Sequence, residues 1–504
     1  MEENKSSKKL ERRLGLLDAT MIVVGSMIGS GIFLTSAESS RLMGAPGWLL
    51  LAWFLAGVMT ICGALSFGEL AAMYPRAGGP YNFMSEAYGK PVGFVYGWSQ
   101  FLIVQSGTIA AVAVGFAIFT GVLFPQISGT NYLLKPIIFG SYAVSLSTQQ
   151  LLALGVIALL TFTNTRGLEV GKWIQNIFTF TKTAALLGLA VIGLSLGWNA
   201  GGAIFTSDLW NSAANGWSLE KAQPAAMAAG AFAFALVFGR AMTGPLFSQS
   251  AWDNVTFTGS EIQNPGRNLP RALLIGCSIV VGLYLLANLA YVATLPLASI
   301  QNAPSNRVAS VLMEQIFGPS GAIIMAVAIM ISTFGCNNGL ILSGARVSYA
   351  MARDGYLFSA LSRTNSKHVP AVALIAQGVW ASFLVLPRTV TYKDGAPVFG
   401  NVYTQLLEYI VSVDLLSATL SVLAVIVLRR TAPNFERPYK TWGYPVVPII
   451  FLMLSTFVIL TLLYLTPTTA GIGFLIALTG IPAFFIWRNR AAKQALAGES
   501  SAAI

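Results

Sequence analysis

Apolar runs of about twenty residues or more recur along the chain, separated by short segments rich in Gly, Pro and charge. A helix needs roughly 20 apolar residues to span a bilayer. Barrel strands alternate over about ten residues, and these runs are continuous. The pattern predicts about twelve spans, near 16–40, 46–73, 91–124, 148–164, 172–197, 224–259, 270–296, 319–346, 369–387, 402–428, 443–466 and 469–487. Two of them are broken. The first reads VVGSMIGSGIF, with Gly25, Gly29 and Gly31 in its middle. The sixth reads FGRAMTGPLFSQSAWDNVTF, interrupted at Gly244, Pro245, Ser248, Gln249 and Ser250.

A lone glycine in a membrane helix usually means close packing. Paired breaks in the first helix of each five-helix half point instead to an inverted repeat with a site at mid-membrane. The expected fold is an all-α polytopic membrane protein. It has a 5+5 inverted-repeat core with broken helices 1 and 6, plus two additional helices. Its expected divisions are an N-terminal tail (1–15), a first repeat (16–197), an outer loop (198–223), a second repeat (224–430), helices 11 and 12 (431–487) and a C-terminal tail (488–504).

Composition sharpens this. The chain has 504 residues, 55% hydrophobic and 10% charged, with a mean hydropathy of +0.68. A soluble globular chain carries about 25% charge, so a multidomain water-soluble enzyme is excluded, as is disorder. The net charge of +11 would suit an acidic partner, but its placement says otherwise. With a cytoplasmic N-terminus, 22 of the 30 Lys and Arg residues fall on inner segments and six on outer ones. The excess therefore sets orientation, with both termini cytoplasmic, and gives no case for nucleic acid. Cys62, Cys277 and Cys336 all lie in apolar runs, and His368, the single histidine, sits in a charged loop before Pro370. Neither a disulfide framework nor a metal site is expected from that set. Residues 1–13 are charged and lack an apolar h-region, so no cleavable signal peptide is expected.

Where a helix unwinds in hydrocarbon, its freed N–H and C=O groups must line a cavity or bind something. A half-helix N-terminus suits a carboxylate, and exposed carbonyls suit an ammonium. Two facing breaks would hold both ends of an amino acid without a charged side chain. Ser30 and Gly31 are the candidate carboxylate amides, with Gly29 allowing close approach. The carbonyls near Ile28, Phe247 and Ser248 are the candidate amine acceptors, and Gln249 and Ser250 complete the set. The structural alternative is a glycine-packed kink.

Lys182 and Arg240 lie inside spans, where ionisable groups are functional candidates. Lys182 is too central to snorkel and is expected to reach carbonyls near Gly25 or Ile28. It would act as a fixed cation in place of sodium, or as a proton carrier. Arg240 lies about two turns from the sixth-span break. It either lines an outer vestibule, or pairs with Glu408 or Asp414. Asp253 stands where it would cap the half-helix that follows.

Several segments then occur in order: IGSGIF at 28–33, ELAAMYPRAGGPYNFMSEAYGK at 69–90, Lys182 in FTKTAALLGL, and 252–272 ending in EIQNPGRNLPRA. TFGCNNG at 333–339, RVSYAMARDG at 346–355 and ERPYKTWGYP at 436–445 follow. In this ordered set the chain resembles the amino acid–polyamine–organocation (APC) transporters, and in particular prokaryotic relatives of the L-type amino-acid transporters. The resemblance implies twelve helices, alternating access for amino acids, and a multi-pass protein of a prokaryotic plasma (inner) membrane. It implies that Phe247 is a gate closing over substrate, and that Lys182 belongs to a sodium-independent member. FSQSAW departs from members that carry Gly before the Trp of span 6, which bears on side-chain specificity. Eukaryotic L-type members join a heavy chain through a loop cysteine. No cysteine lies between spans 3 and 4, so no such partner is expected.

Pro75, Gly78, Gly79 and Pro80 predict a rigid turn, and Asn264, Pro265, Asn268 and Pro270 end span 6 and launch span 7. The expected function is secondary active transport of amino acids, neutral and sodium-independent, by exchange or proton-coupled symport, with no cofactor. Acidic or cationic amino acids or polyamines are the alternative substrates. A channel would need symmetric rings of charge or carbonyls, an enzyme an acid–base or metal constellation, and ATP-driven transport a Walker motif. The sequence offers none of these.

Overall fold

The computed structural model describes residues 12, 14–166, 168–198, 201–367, 369–393 and 395–489. His368 and most of both predicted tails lie outside the described residues.

Helical structure stands at every predicted span. Span 1 is the pair Leu16–Met27 and Gly31–Met43, bent by 42° at the break. Spans 2 to 5 are Pro46–Met73, Lys90–Leu123, Thr148–Thr165 and Leu168–Ser195. Span 6 is Pro224–Ser248, and span 7 is Pro265–Thr294. Spans 8 to 12 are Pro319–Arg353, Ala371–Leu384, Val402–Thr431, Val446–Leu465 and Pro467–Asn489. Among the described residues, nine helices are long and apolar enough to cross a bilayer, and the bent pair makes ten. Spans 4 and 9 fall short of that test. Span 9 is only 14 residues long, and polar Gln149, Gln150 and Asn164 dilute the ends of span 4.

Two details depart from the sequence expectation. Span 7 starts at Pro265, with Asn264 as its cap, so Pro270 sits inside the helix and does not launch it. The second departure is a small antiparallel sheet. Strand β1 (Tyr132–Phe139) pairs with β2 (Tyr142–Ser147), β2 with β3 (Pro387–Lys393), and β3 with β4 (Ala396–Phe399). It joins the loop after span 3 to the loop after span 9. In β2 the residues alternate between buried and more exposed, the period-2 pattern of a half-covered strand. Arg388 fastens this corner by donating to the Gly129 carbonyl at 2.8 Å.

The long helices pack in pairs five apart in sequence: span 2 lies along span 7, and span 3 along span 8. Small residues permit this closeness. A Cβ on Gly57 of span 2 would stand 2.7 Å from Val281 of span 7. The two broken helices meet in the middle of this frame.

Candidate functional site

The first half of span 1 ends at Met27. Ile28 leaves helical geometry (φ −76°, ψ 89°), and Ser30 caps the second half from Gly31. A helix end frees carbonyls on one side and N–H groups on the other. Most of the freed carbonyls find partners on neighbouring spans. Tyr284 of span 7 donates to the Met27 carbonyl at 2.9 Å. From span 8, Ser332 donates to Ile28 at 3.4 Å and the Cys336 thiol to Ser26 at 3.3 Å. Lys182 of span 5 is buried and donates to the Gly25 carbonyl, one of the two positions expected for it. Gly29 lies against Cys336, whose Sγ would stand 3.2 Å from an added Cβ.

On the other side of the break, the N–H groups of Gly31 and Ile32 begin a helix and have no acceptor within it. The Ser30 hydroxyl is hydrogen-bonded to the Tyr403 hydroxyl of span 10 at 2.9 Å.

The break in span 6 lies further along than its sequence implies. Gly244 and Pro245 do not interrupt it, because Thr243–Ser248 is a fresh helical segment with Pro245 in its first turn. There the missing N–H removes no intrahelical bond. The helix ends at Ser248. Ala251 then turns left-handed (φ 64°), and a short turn resumes at Asn254–Phe257. Asp253 occupies the capping position of that turn, but its side chain makes no capping hydrogen bond.

The two breaks touch. A Cβ on Gly31 would lie 2.9 Å from Ser248 Cα, and the Ser248 hydroxyl is 3.2 Å from that of Thr35. Phe247 is buried edge-on against Tyr403, with ring centroids 6.1 Å apart. The Ser250 hydroxyl turns back to the Phe247 carbonyl at 2.8 Å. Gln249 donates to the Trp53 carbonyl at 3.3 Å, while its own Oε1 is buried without a partner among the described residues. The structure thus brings Ile28–Gly31 and Phe247–Ser250 together, and the contacts between the two breaks run through the backbone and through neutral side chains. Tyr403, Tyr284 and Ser332 join them, although no sequence signal set those three apart from other polar residues in spans.

Charge lies to either side. A cavity of about 30 Å³ is lined by Thr35, Glu38, Arg240, Tyr403 and Glu408. Arg240 pairs with Glu408 at 3.0 Å and not with Asp414, and it also contacts Gln223. Thr469 donates to the second oxygen of Glu408 at 2.7 Å. Toward the face that carries residues 74–89, a second cavity of about 50 Å³ is lined by Gln249, Ser250, Asp253 and Asp414. Both are small: one water needs roughly 10–15 Å³ of such space.

The face beyond the larger cavity is closed by buried ion pairs. Glu69 of span 2 accepts a bidentate bond from Arg429 at 2.9 and 2.7 Å, and two more from Thr441. Arg346 forks onto Glu261 at 2.9 and 3.2 Å. Tyr81, on the short helix after span 2, donates to Asp354 at 2.7 Å; burial and that carboxylate push its hydroxyl pKa up. The Pro75–Pro80 turn is left-handed at Gly78 and Gly79. Gly78 donates to the Phe257 carbonyl at 3.3 Å, which ties the turn to the segment just past the span 6 break.

Comparison with known proteins fits this arrangement. The family described as amino acid permease matches residues 14–487. The large neutral amino acids transporter small subunit 2 of Rattus norvegicus is 30% identical over 95% of this chain and 82% of its own length. The Asc-type amino acid transporter 1 of Mus musculus is 28% identical over the same shares. The serine/threonine exchanger SteT of Bacillus subtilis (strain 168) is 29% identical over 96% of this chain and 98% of its own.

Proposed function

The chain belongs to the amino acid permease family, and from that premise we propose that it exchanges neutral amino acids across a prokaryotic inner membrane by alternating access, independently of sodium. One observation carries this reading: the unwound stretches of two helices meet at Gly31 and Ser248, beside the neutral side chains of Ser30 and Thr35. Freed backbone groups there complement a zwitterion. The N–H groups of Ser30 and Gly31 take the carboxylate, the carbonyl near Ile28 takes the ammonium, and Phe247 closes above. The Ser332 hydroxyl, 3.4 Å from that carbonyl, yields to the ammonium.

Several features support the rest. A relative covered over 98% of its length is named a serine/threonine exchanger. The pairing of span 2 with 7 and of span 3 with 8 is what two inverted repeats at 16–197 and 224–430 would give. The distribution of Lys and Arg supports a cytoplasmic position for both termini and for the 74–89 face. Lys182 holds the Gly25 carbonyl beside the break, so a fixed ammonium stands in for a coupling sodium. All three cysteines are buried, which supports function without a disulfide-linked heavy chain. A second reading, proton-coupled symport, draws on the same lysine, since a buried amine bound to one carbonyl can release its proton.

The test is uptake by purified protein in liposomes across a panel of labelled amino acids. Exchange requires sodium-free uptake of neutral amino acids that rises strongly when unlabelled amino acid is inside. Uptake driven by outside acid without internal substrate would favour symport. No uptake of any neutral amino acid would overturn the proposal.

A further inference from the structure

The larger cavity contains chemistry that zwitterion binding does not use. Asp253, past the span 6 break, and Asp414, on span 10, line the same space. No lysine or arginine lines that space or pairs with either carboxylate among the described residues. The other titratable groups facing the pair are the Tyr96 hydroxyl of span 3 and, within reach of Asp253, the Cys277 thiol of span 7. Neither supplies positive charge.

Two further polar groups line the cavity unpaired. The Tyr96 hydroxyl and the Gln249 amide oxygen are buried, 4% and 1% exposed by residue, and neither has a hydrogen-bond partner among the described residues. Leaving a buried polar group unsatisfied is costly, so both call for an occupant. The cavity, at about 50 Å³, has room for a few waters but not for an amino acid. Two carboxylates facing one small space that no lysine or arginine lines repel one another unless a cation stands between them.

We propose that Asp253 and Asp414 form a shared cation site at the break of span 6, which takes one proton between two carboxylates and gives it up when spans 6 and 10 move apart. A hydronium ion on the 74–89 side gives its proton to one carboxylate oxygen and is left as water. The acid so formed donates to the other carboxylate, and water in the cavity bonds Tyr96 and Gln249. Protonation closes the cavity, while ionisation of both groups drives the two spans apart. Transport therefore responds to pH through a pair distinct from Lys182. The transport half of this inference rests on the proposed function; the shared proton does not.

Two measurements on the full chain test it. Infrared spectra of purified protein at neutral pH are expected to show a carboxylic-acid carbonyl absorption that shifts in heavy water. It is expected to disappear in Asp253→Asn and in Asp414→Asn, which are made separately so that a folding defect in one leaves the other to decide. In liposomes, without sodium and again with it, wild-type uptake is expected to fall as pH rises, by up to about tenfold per pH unit for one titrating proton. Either Asn variant flattens that profile. Absence of the absorption, its persistence in both variants, an unchanged pH profile in a folded variant, or replacement of the pH response by sodium would each overturn the proposal. If no amino acid is taken up at all, the transport reading fails and the infrared result still decides the pair.

Discussion

Gly31→Ala tests whether the crossing of the two breaks is the working site. The added Cβ would sit 2.9 Å from Ser248 Cα and nearer still to the Ser248 side chain. Carbon pairs are comfortable at about 3.5–4.0 Å, and the obstacle is backbone, which cannot swing aside. Overpacking of this kind costs typically about 1–3 kcal/mol, which corresponds to roughly 5–150-fold in an equilibrium. The cost falls on the state in which the breaks touch, and a state in which they part is spared. The expected outcome is therefore a 5–150-fold fall in substrate affinity or uptake rate, with little loss of detergent melting temperature. Gly155→Ala is the control, because its Cβ would meet nothing within 4 Å. Adding Ser248→Gly to Gly31→Ala removes part of the obstruction and is expected to recover part of the rate, a coupling that independent sites do not show. Wild-type uptake by Gly31→Ala would refute the placement of the site.

The remaining predictions address the groups around the crossing. Lys182→Ala leaves the Gly25 carbonyl unpaired, a loss of about 1–3 kcal/mol; it is expected to change rate and pH dependence more than folding, and full activity with an unaltered pH–rate profile would exclude a coupling role. Tyr403→Phe keeps the ring against Phe247 but loses the bond to Ser30, so substrate affinity is expected to fall by the equivalent of about 0.5–1.5 kcal/mol. Binding of labelled substrate checks it, and unchanged affinity would show that Tyr403 does not hold the break in place. Glu69→Gln removes the charge facing Arg429 and Arg437 and is expected to destabilise by about 3–5 kcal/mol, read as a marked drop in melting temperature.

The spans were legible because the bilayer demands apolar length, and length is a one-dimensional property. The break in span 1 was equally plain: Gly25, Gly29 and Gly31 cluster in one run. Span 6 misled because Gly244–Pro245 looks like a helix breaker, whereas proline is harmless in a first turn and the true turn falls at Ala251, a residue with no turn preference. The sheet escaped notice because strands of four to eight residues carry little periodicity. Tyr403 was hidden for a different reason: its importance lies wholly in contacts with Ser30 and Phe247, more than 150 positions away.

The choice between Glu408 and Asp414 as partner of Arg240 shows what the third dimension adds. Six residues apart on one helix, they differ by roughly 240° in direction, so one arginine does not face both. Glu408 turns to Arg240 and Thr469, which leaves Asp414 to the larger cavity with Asp253. Span 10 therefore meets three places at once: the crossing through Tyr403, the smaller cavity through Glu408 and the larger through Asp414. These contacts are spread over about 16 Å of a single helix. On the proposed alternating-access cycle, a tilt of span 10 that tightens its hold at one end must loosen it at the other. Protonation of Asp414 would then bias the opening of the opposite cavity through rigid displacement, with no chain of side-chain rearrangements between them.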